Sequence, residues 1–230
     1  MSTLTFTLKL NLAFKLDCRR LTPDALAGLS LTQIKNLNLL NIKYSQKVSD
    51  FFEVSGKNSQ GIIFKNTNKQ LDYIGHKMTR GQIIIEGDCG DFLGASMQGG
   101  TIVCQGNVGD RLGDQMRRGL VLIDGNVGDY CGSRMIAGTI GVLGGIGKYT
   151  GFAMKRGTII LRKPVGILTN HSDFHATIQD CGIHNIPFLV LLFQSFHTLP
   201  SKFSGVNSQR VQRYAGDLAC NGNGEILVLI

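Results

Sequence analysis

The sequence predicts a mainly β fold: a parallel β-helix (solenoid) of about six 19-residue coils, with mixed α/β segments at both ends. Three observations predict it. Methionine recurs at Met78, Met97, Met116, Met135 and Met154, a constant step of 19. Glycine keeps the same step in four columns, which begin at Gly81, Gly87, Gly90 and Gly94. Short apolar runs then align on the first column without gaps: GQIIIEG, GTIVCQG, GLVLIDG, GTIGVLG and GTIILRK, spanning 81 to 163, preceded by a weaker GIIFKN from Gly61. A period near 20 residues marks one structural unit repeated and stacked. Nineteen residues are too few for a strand–helix–strand crossover with its turns. Each unit therefore reads as one coil of short strands and tight corners, and like residues stack at about 4.8 Å, the interstrand spacing.

The phrase GNVGD, at 106–110 and again at 125–129, resembles a phosphate-binding loop only superficially. Such a loop occurs once, between a strand and a helix. Here it recurs with no helical pattern after it, so its glycines turn corners.

Alternation assigns the faces of the strands. Ile83, Ile102, Val121, Ile140 and Ile159 form one inward column, and Ile85, Cys104, Ile123, Val142 and Leu161 another. The methionines form a third interior ladder, a flexible thioether filling each corner. Between the two inward columns lie Ile84, Val103, Leu122, Gly141 and Ile160, which point outward yet are mostly apolar. A stripe that long needs a cover, from this chain's flanks or from another subunit. Ile84, Val103, Leu122 and Ile160 are taken as a subunit-interface stripe. Two polar columns complete the coil. Asn107 and Asn126 can bond along the axis. Asp91, Asp110 and Asp129 would repel one another unless solvated or bonded to backbone N–H groups.

The flanks set three segments: an N-terminal strand/helix cap (1–57), the β-helix (58–163) and a C-terminal capping and interaction segment (164–230). MSTLTFTLKLNLAF alternates like a strand. Thr22-Pro23-Asp24 reads as a helix start, Thr as cap and Pro at the first helical position. Pro164 marks the end of the coils. IPFLVLLFQSF, from Ile186, is too short to span a bilayer and is expected to bury against the chain.

Composition narrows the function. The net charge is +8, with +4 on 1–57, +5 on 58–163 and −1 on 164–230. That points to an acidic partner or ligand without naming it. Aromatics are 7 %, with no tryptophan and no RNA-binding motif, which argues against nucleic acid. The six cysteines show no metal or disulfide spacing. Cys89, Cys104 and Cys131 each replace an apolar residue of their column, as small buried hydrophobes of a reducing cytoplasm would. His171, Asp173 and His175 lie close together but lack the H-E-x-x-H glutamate. The aspartate column does not follow the calcium-binding nonapeptide repeat. No nucleophile motif is present. Neither a catalytic residue nor a metal is expected on this chain.

The repeats MTRGQIIIEGDCGDFLG, MQGGTIVCQGNVGDRLG, MRRGLVLIDGNVGDYCG and MIAGTIGVLGGIGKYTG resemble the C subunit of formylmethanofuran dehydrogenase. DCGIHNIPFLVLLFQSF and VQRYAGDLACNGNGEILV look like the matching subunit of the bacterial formyltransferase/hydrolase complex. The C-terminal domain of glutamate synthase shares the G-x-G-x-G β-helix. The resemblance implies a scaffold of the C type rather than an independent enzyme. Its complex transfers a formyl group between tetrahydromethanopterin and a methanofuran-type cofactor and releases formate. The cofactor sites and the metal are implied to lie on the A, B and D type subunits. The alternatives are the C subunit of a molybdenum or tungsten dehydrogenase and a glutamate-synthase-like structural domain. A hexapeptide-type acyltransferase would need coils of 18 residues rather than 19.

A further feature follows the methionines. Thr79-Arg80, Arg117-Arg118 and Lys155-Arg156 put basic residues on every second coil, with Gln98-Gly99 and Ile136-Ala137 between. Arg134 adjoins the same edge. Arg80, Arg117, Arg118, Arg134, Lys155 and Arg156 form a candidate basic edge for an acidic group, either the glutamate tail that the resemblance implies for the cofactor or an acidic patch on a partner.

Overall fold

The computed structural model describes residues 2–10, 12–39, 46–162 and 178–230. His171, Asp173, His175 and Pro164 lie outside the described residues. In chain order the elements begin with β1 (Thr3–Leu8), β2 (Leu16–Asp17), α1 (Pro23–Leu26), α2 (Leu31–Lys35), β3 (Asn38–Leu39), β4 (Gln46–Lys47), α3 (Val48–Phe51) and β5 (Phe52–Ser55). The repeats contribute β6 (Asn58–Thr67), β7 (Leu71–Asp72), β8 (Gln82–Gly87), β9 (Thr101–Cys104), β10 (Leu120–Ile123), β11 (Thr139–Val142) and β12 (Thr158–Leu161). The C-terminal segment adds β13 (Gln179–Asn185), α4 (Phe188–Ser195), β14 (Arg210–Gly216) and β15 (Gly224–Leu229), with 3-10 turns at Lys202–Gly205 and Leu218–Cys220.

The chain is mainly β, and among the described residues its large sheet has eleven strands in the order β13-β14-β15-β12-β11-β10-β9-β8-β6-β1-β5. The 19-residue step is the pairing step: Ile83 meets Ile102, Ile102 meets Val121, Val121 meets Ile140 and Ile140 meets Ile159, all in parallel. A second line of parallel bridges joins Cys89, Val108, Val127 and Ile146. The sheet is mixed rather than wholly parallel. β5 is antiparallel to β1, and β13 and β14 run antiparallel beyond β15. Both flanks also add parallel rungs, β1 on β6 and β15 on β12.

The expected interior columns are buried, as are all five methionines of the ladder, at 0–1 % exposure. The N-terminal end of this core is closed by Phe6, Phe52 and Phe64, with Phe6 and Phe64 stacked at 5.2 Å. Thr22 caps α1, its hydroxyl accepting from the Ala25 N–H at 3.2 Å. Burial pushes the thiols of Cys104 and Cys131 up to about 12, and those of Cys18 and Cys89 well above the ordinary range, so these sulfurs act as apolar filler.

The aspartates do not repel, because each is a turn acceptor. Oδ1 of Asp72, Asp91, Asp110 and Asp129 accepts the backbone N–H of the residue one coil on, at 2.8–2.9 Å. Asp88, Asn107 and Asn126 repeat the arrangement in the neighbouring column, at 2.7–2.9 Å. Lys15 closes the first ladder, 3.0 Å from Asp72 and 3.1 Å from Asp91.

The outward stripe requires a correction. Val103, Leu122 and Ile160 are fully buried inside the chain, beneath Leu189 and Phe193 of α4 and beneath Phe196, Phe203 and Val206. They are therefore not a subunit interface, because the chain's own C-terminal segment covers them. Gly141 is the stripe's exception for the same reason. A Cβ there would stand 2.7 Å from Cζ of Phe203, so the missing side chain is the hole that the ring fills. Ile84, paired in register between Ile63 and Val103, is half-buried and lies outside that cluster. The cover is latched to the coils by Asp124. Its Oδ1 accepts the Ser201 hydroxyl at 2.6 Å and the Lys202 N–H at 3.0 Å.

Candidate functional site: a basic edge beside the methionine ladder

Each methionine turns the chain from a corner into the next strand. The residue before it is left-handed, with φ near +55° at Ser96, Gln115 and Arg134. The residues after it bond to the previous coil. The N–H groups of Arg117, Ile136 and Lys155 donate to the carbonyls of Met97, Met116 and Met135, each at 2.8 Å. This register stacks the post-methionine pairs above one another.

Arg117, Arg118, Lys155 and Arg156 are exposed. Among the described residues none of the four forms an ion pair. Ile136, between them, is 37 % exposed. The edge is thus basic, apolar, basic on successive coils.

Arg80 and Arg134 belong to it less. Arg80 Nε stands 3.4 Å from Asp24 of α1, whose carboxylate also accepts the Thr79 hydroxyl at 2.6 Å and the Thr79 N–H at 2.7 Å. Burial raises the Asp24 pKa, but the Thr79 bonds and Arg80 outweigh it and hold the group below the ordinary carboxylate range. Arg80 therefore fastens the N-terminal cap. Arg134 is a correction. Its Nε and Nη2 grip Asp114 at 3.0 and 2.5 Å, and the Ser133 hydroxyl donates to the same carboxylate at 2.7 Å. The Asp114 side chain is 4 % exposed. An unpaired charge at such depth costs several kcal/mol, so Arg134 serves the interior and does not extend the edge. The sequence signal was an acid in a column that otherwise holds Ala95 and Ser133, one coil before an arginine.

A second feature was missed altogether. Tyr73, Phe92, Arg111, Tyr130 and Tyr149 share one column, all with φ between 58 and 61°. Tyr73 stacks on Phe92 at 4.6 Å and Tyr130 on Tyr149 at 4.9 Å. The Arg111 guanidinium lies between them, 5.9 Å from Phe92 and 4.7 Å from Tyr130, and Arg19 covers Tyr73 at 4.4 Å. Left-handed backbone is costly for bulky residues, and stacking worth about 0.5–1.5 kcal/mol per pair offsets it. The step of 19 was visible there too, but the mixture of arginine with aromatics hid it.

Among the described residues no group of three His, Cys, Asp or Glu side chains could hold a metal ion, and no helix is long and apolar enough to cross a membrane.

No protein-family model matches the chain. It is 30 % identical over 92 residues to the C subunit of a tungsten-containing formylmethanofuran dehydrogenase 2 of Methanococcus maripaludis, covering 39 % of this chain and 34 % of that one. It is 31 % identical over 86 residues to the C subunit of the formyltransferase/hydrolase complex Fhc of Methylorubrum extorquens, covering 37 % and 32 %. The chain thus spans about a third of the length of the curated relatives it matches. A chain of the crystal structure of the formyltransferase/hydrolase complex (FhcABCD) from Methylorubrum extorquens, in complex with methylofuran, is similar throughout. It has a TM-score of 0.68 and 31 % identity, over 98 % of this chain and 99 % of that one.

Proposed function

Since the chain belongs to the family of C subunits of formylmethanofuran dehydrogenase and the formyltransferase/hydrolase complex, we propose that it is the scaffold subunit of a formyltransferase/hydrolase complex. In this reading it works in the cytoplasm with A, B and D type subunits. The assembly transfers formyl from tetrahydromethanopterin to a methanofuran-type cofactor and releases formate, with metal on another subunit. The 19-residue units are coils of a parallel β-helix that gives the partners a stiff support.

The observation that carries the reading is the likeness to the FhcABCD chain over 98 % of this chain, the C-terminal cover included. The scaffold role draws support from how the polar residues are used. Asp72, Asp88, Asp91, Asp110 and Asp129 bind turn N–H groups, Asp114 binds Arg134, and Asp124 holds the cover. The interior is filled by aliphatic side chains, methionine and cysteine. The basic edge, reduced to Arg117, Arg118, Lys155 and Arg156, is the surface we assign to an acidic group of the assembly.

The test is affinity purification of the tagged full chain from its native host, with mass spectrometry of what accompanies it. Formyltransferase and metal-dependent hydrolase chains are expected. Recovery with molybdenum- or tungsten-pterin and iron–sulfur chains would place it in a dehydrogenase instead, and recovery of the chain by itself would overturn both readings.

A further inference from the structure

We infer that Arg117, Arg118, Ile136, Lys155 and Arg156 form the docking site for an α-helix of a partner protein in the complex, one that presents acidic, apolar and acidic residues at i, i+4 and i+7. This rests on the chain's place in a complex and names how one partner is held.

Spacing selects the helix. The post-methionine pairs stack coil on coil through bonds to Met97, Met116 and Met135. Parallel strands lie about 4.8 Å apart, so the two basic steps are about 9.6 Å apart with Ile136 midway. An α-helix rises 1.5 Å per residue, which puts i and i+7 about 10.5 Å apart on one face and i+4 about 6 Å along it. An extended strand fails, because residues i and i+3, at about 10 Å, point to opposite faces. A polyproline helix returns to one face every third residue, at about 9.3 Å, but offers nothing at the midpoint. The exposed isoleucine at that midpoint therefore favours an α-helical ligand.

Charge selects the sign. In the repeats Arg80 is paired with Asp24, Arg134 with Asp114, and Arg111 lies between two rings. The four edge cations form no ion pair among the described residues. Charges on such a rim steer encounter and fix register more than they add affinity. The contact should therefore weaken with salt, since the Debye length falls from about 10 Å at 0.1 M to about 3 Å at 1 M. An apolar centre adds what salt does not screen.

The experiment uses the full chain and three fluorescent probes. One is a helical peptide with Glu, Leu and Glu at i, i+4 and i+7 in two repeats. The second has the same composition with Glu and Leu on opposite faces, and the third is polyaspartate. Binding is read by fluorescence anisotropy at low and high salt. The patterned peptide is expected to bind about tenfold or more tighter than either control. Arg117→Ser/Arg118→Ser/Lys155→Ser/Arg156→Ser should lose about tenfold or more, and Ile136→Ser a smaller part that persists at high salt. All five positions are exposed, so circular dichroism and melting should match the wild type. Equal binding of all three probes would make the edge a solvated basic rim and overturn the inference. Absence of binding by wild type, or undiminished binding by the quadruple variant, would also overturn it. Co-purification from the native host separates this from the broader reading. If the quadruple variant recovers the same partners in wild-type amounts, the docking site is wrong while membership of the complex stands.

Discussion

The repeats and the C-terminal cover bury similar apolar side chains by different rules. In the coils a residue's role follows from its column: Ile83, Ile102, Val121, Ile140 and Ile159 are all fully buried because each stacks on the one 19 positions before. The cover has no period. Phe193, Phe196 and Phe203 pack edge-on or stacked against one another, and their places are set by the surface beneath. Gly141 is where the two rules meet. Column logic asks for an apolar side chain, and the cover asks for a hole. The difference teaches that an exception in a regular array is best explained from the element packed on it.

The largest effect should come from breaking the column rule. Val121→Asp places an unpaired charge between Ile102 and Ile140 and should cost several kcal/mol, enough to unfold the coils. A soluble variant with unchanged circular dichroism would contradict the stacking.

Breaking the cover should cost less and leave the coils folded. Phe203→Ala removes the ring over Gly141 and should cost about 3–5 kcal/mol in denaturant titration. Gly141→Ala should cost about 1–3 kcal/mol by overpacking, since its Cβ meets Phe203 and Leu122 within 3 Å. Combining Gly141→Ala with Phe203→Leu should recover part of that loss, and strict additivity of the two would separate the residues energetically.

The latch is weaker again. Asp124→Ala strands the Ser201 hydroxyl and the Lys202 N–H and should cost about 1–3 kcal/mol. Dye binding should rise as Val103 and Leu122 are uncovered. Unchanged dye binding would mean that the aromatic packing holds the cover alone.

The smallest effect concerns pH at His76. Burial first, then the cations of Arg19 and Lys77, lowers its pKa from 6.5, and its Nδ1 is buried without a partner. The folded state therefore resists a proton that the unfolded state accepts. The stability is complete above the unfolded pKa and declines as pH falls from there through the lowered folded value. His76→Gln should flatten the dependence of melting temperature on pH below about 6.5. A wild-type curve already flat there would refute the assignment.

Much of the fold was legible because stacking repeats the same environment every 19 residues. Ile102 and Val121 could be placed inside from sequence, and Cys104 with them, since each stands where its neighbours stand. Thr22 with Pro23 marked a helix start because capping is local. The candidate edge was half legible. Arg117-Arg118 and Lys155-Arg156 kept their period, but their chemistry was read as charge alone, and Ile136 passed as a neutral spacer.

By itself the sequence determined the step, the columns and the strands, because parallel stacking makes position within a unit equivalent to position in space. It also determined that the outward stripe needs a cover. Only the tertiary structure decided that this chain supplies the cover at Val103, Leu122 and Ile160, and which arginines are drawn away from the edge. Those outcomes turn on contacts between unlike units, Arg134 with Asp114 20 residues away and Ser201 with Asp124 77 away. A buried carboxylate or an unfilled hole takes whichever side chain the packing brings to it, and no period within the chain encodes that choice.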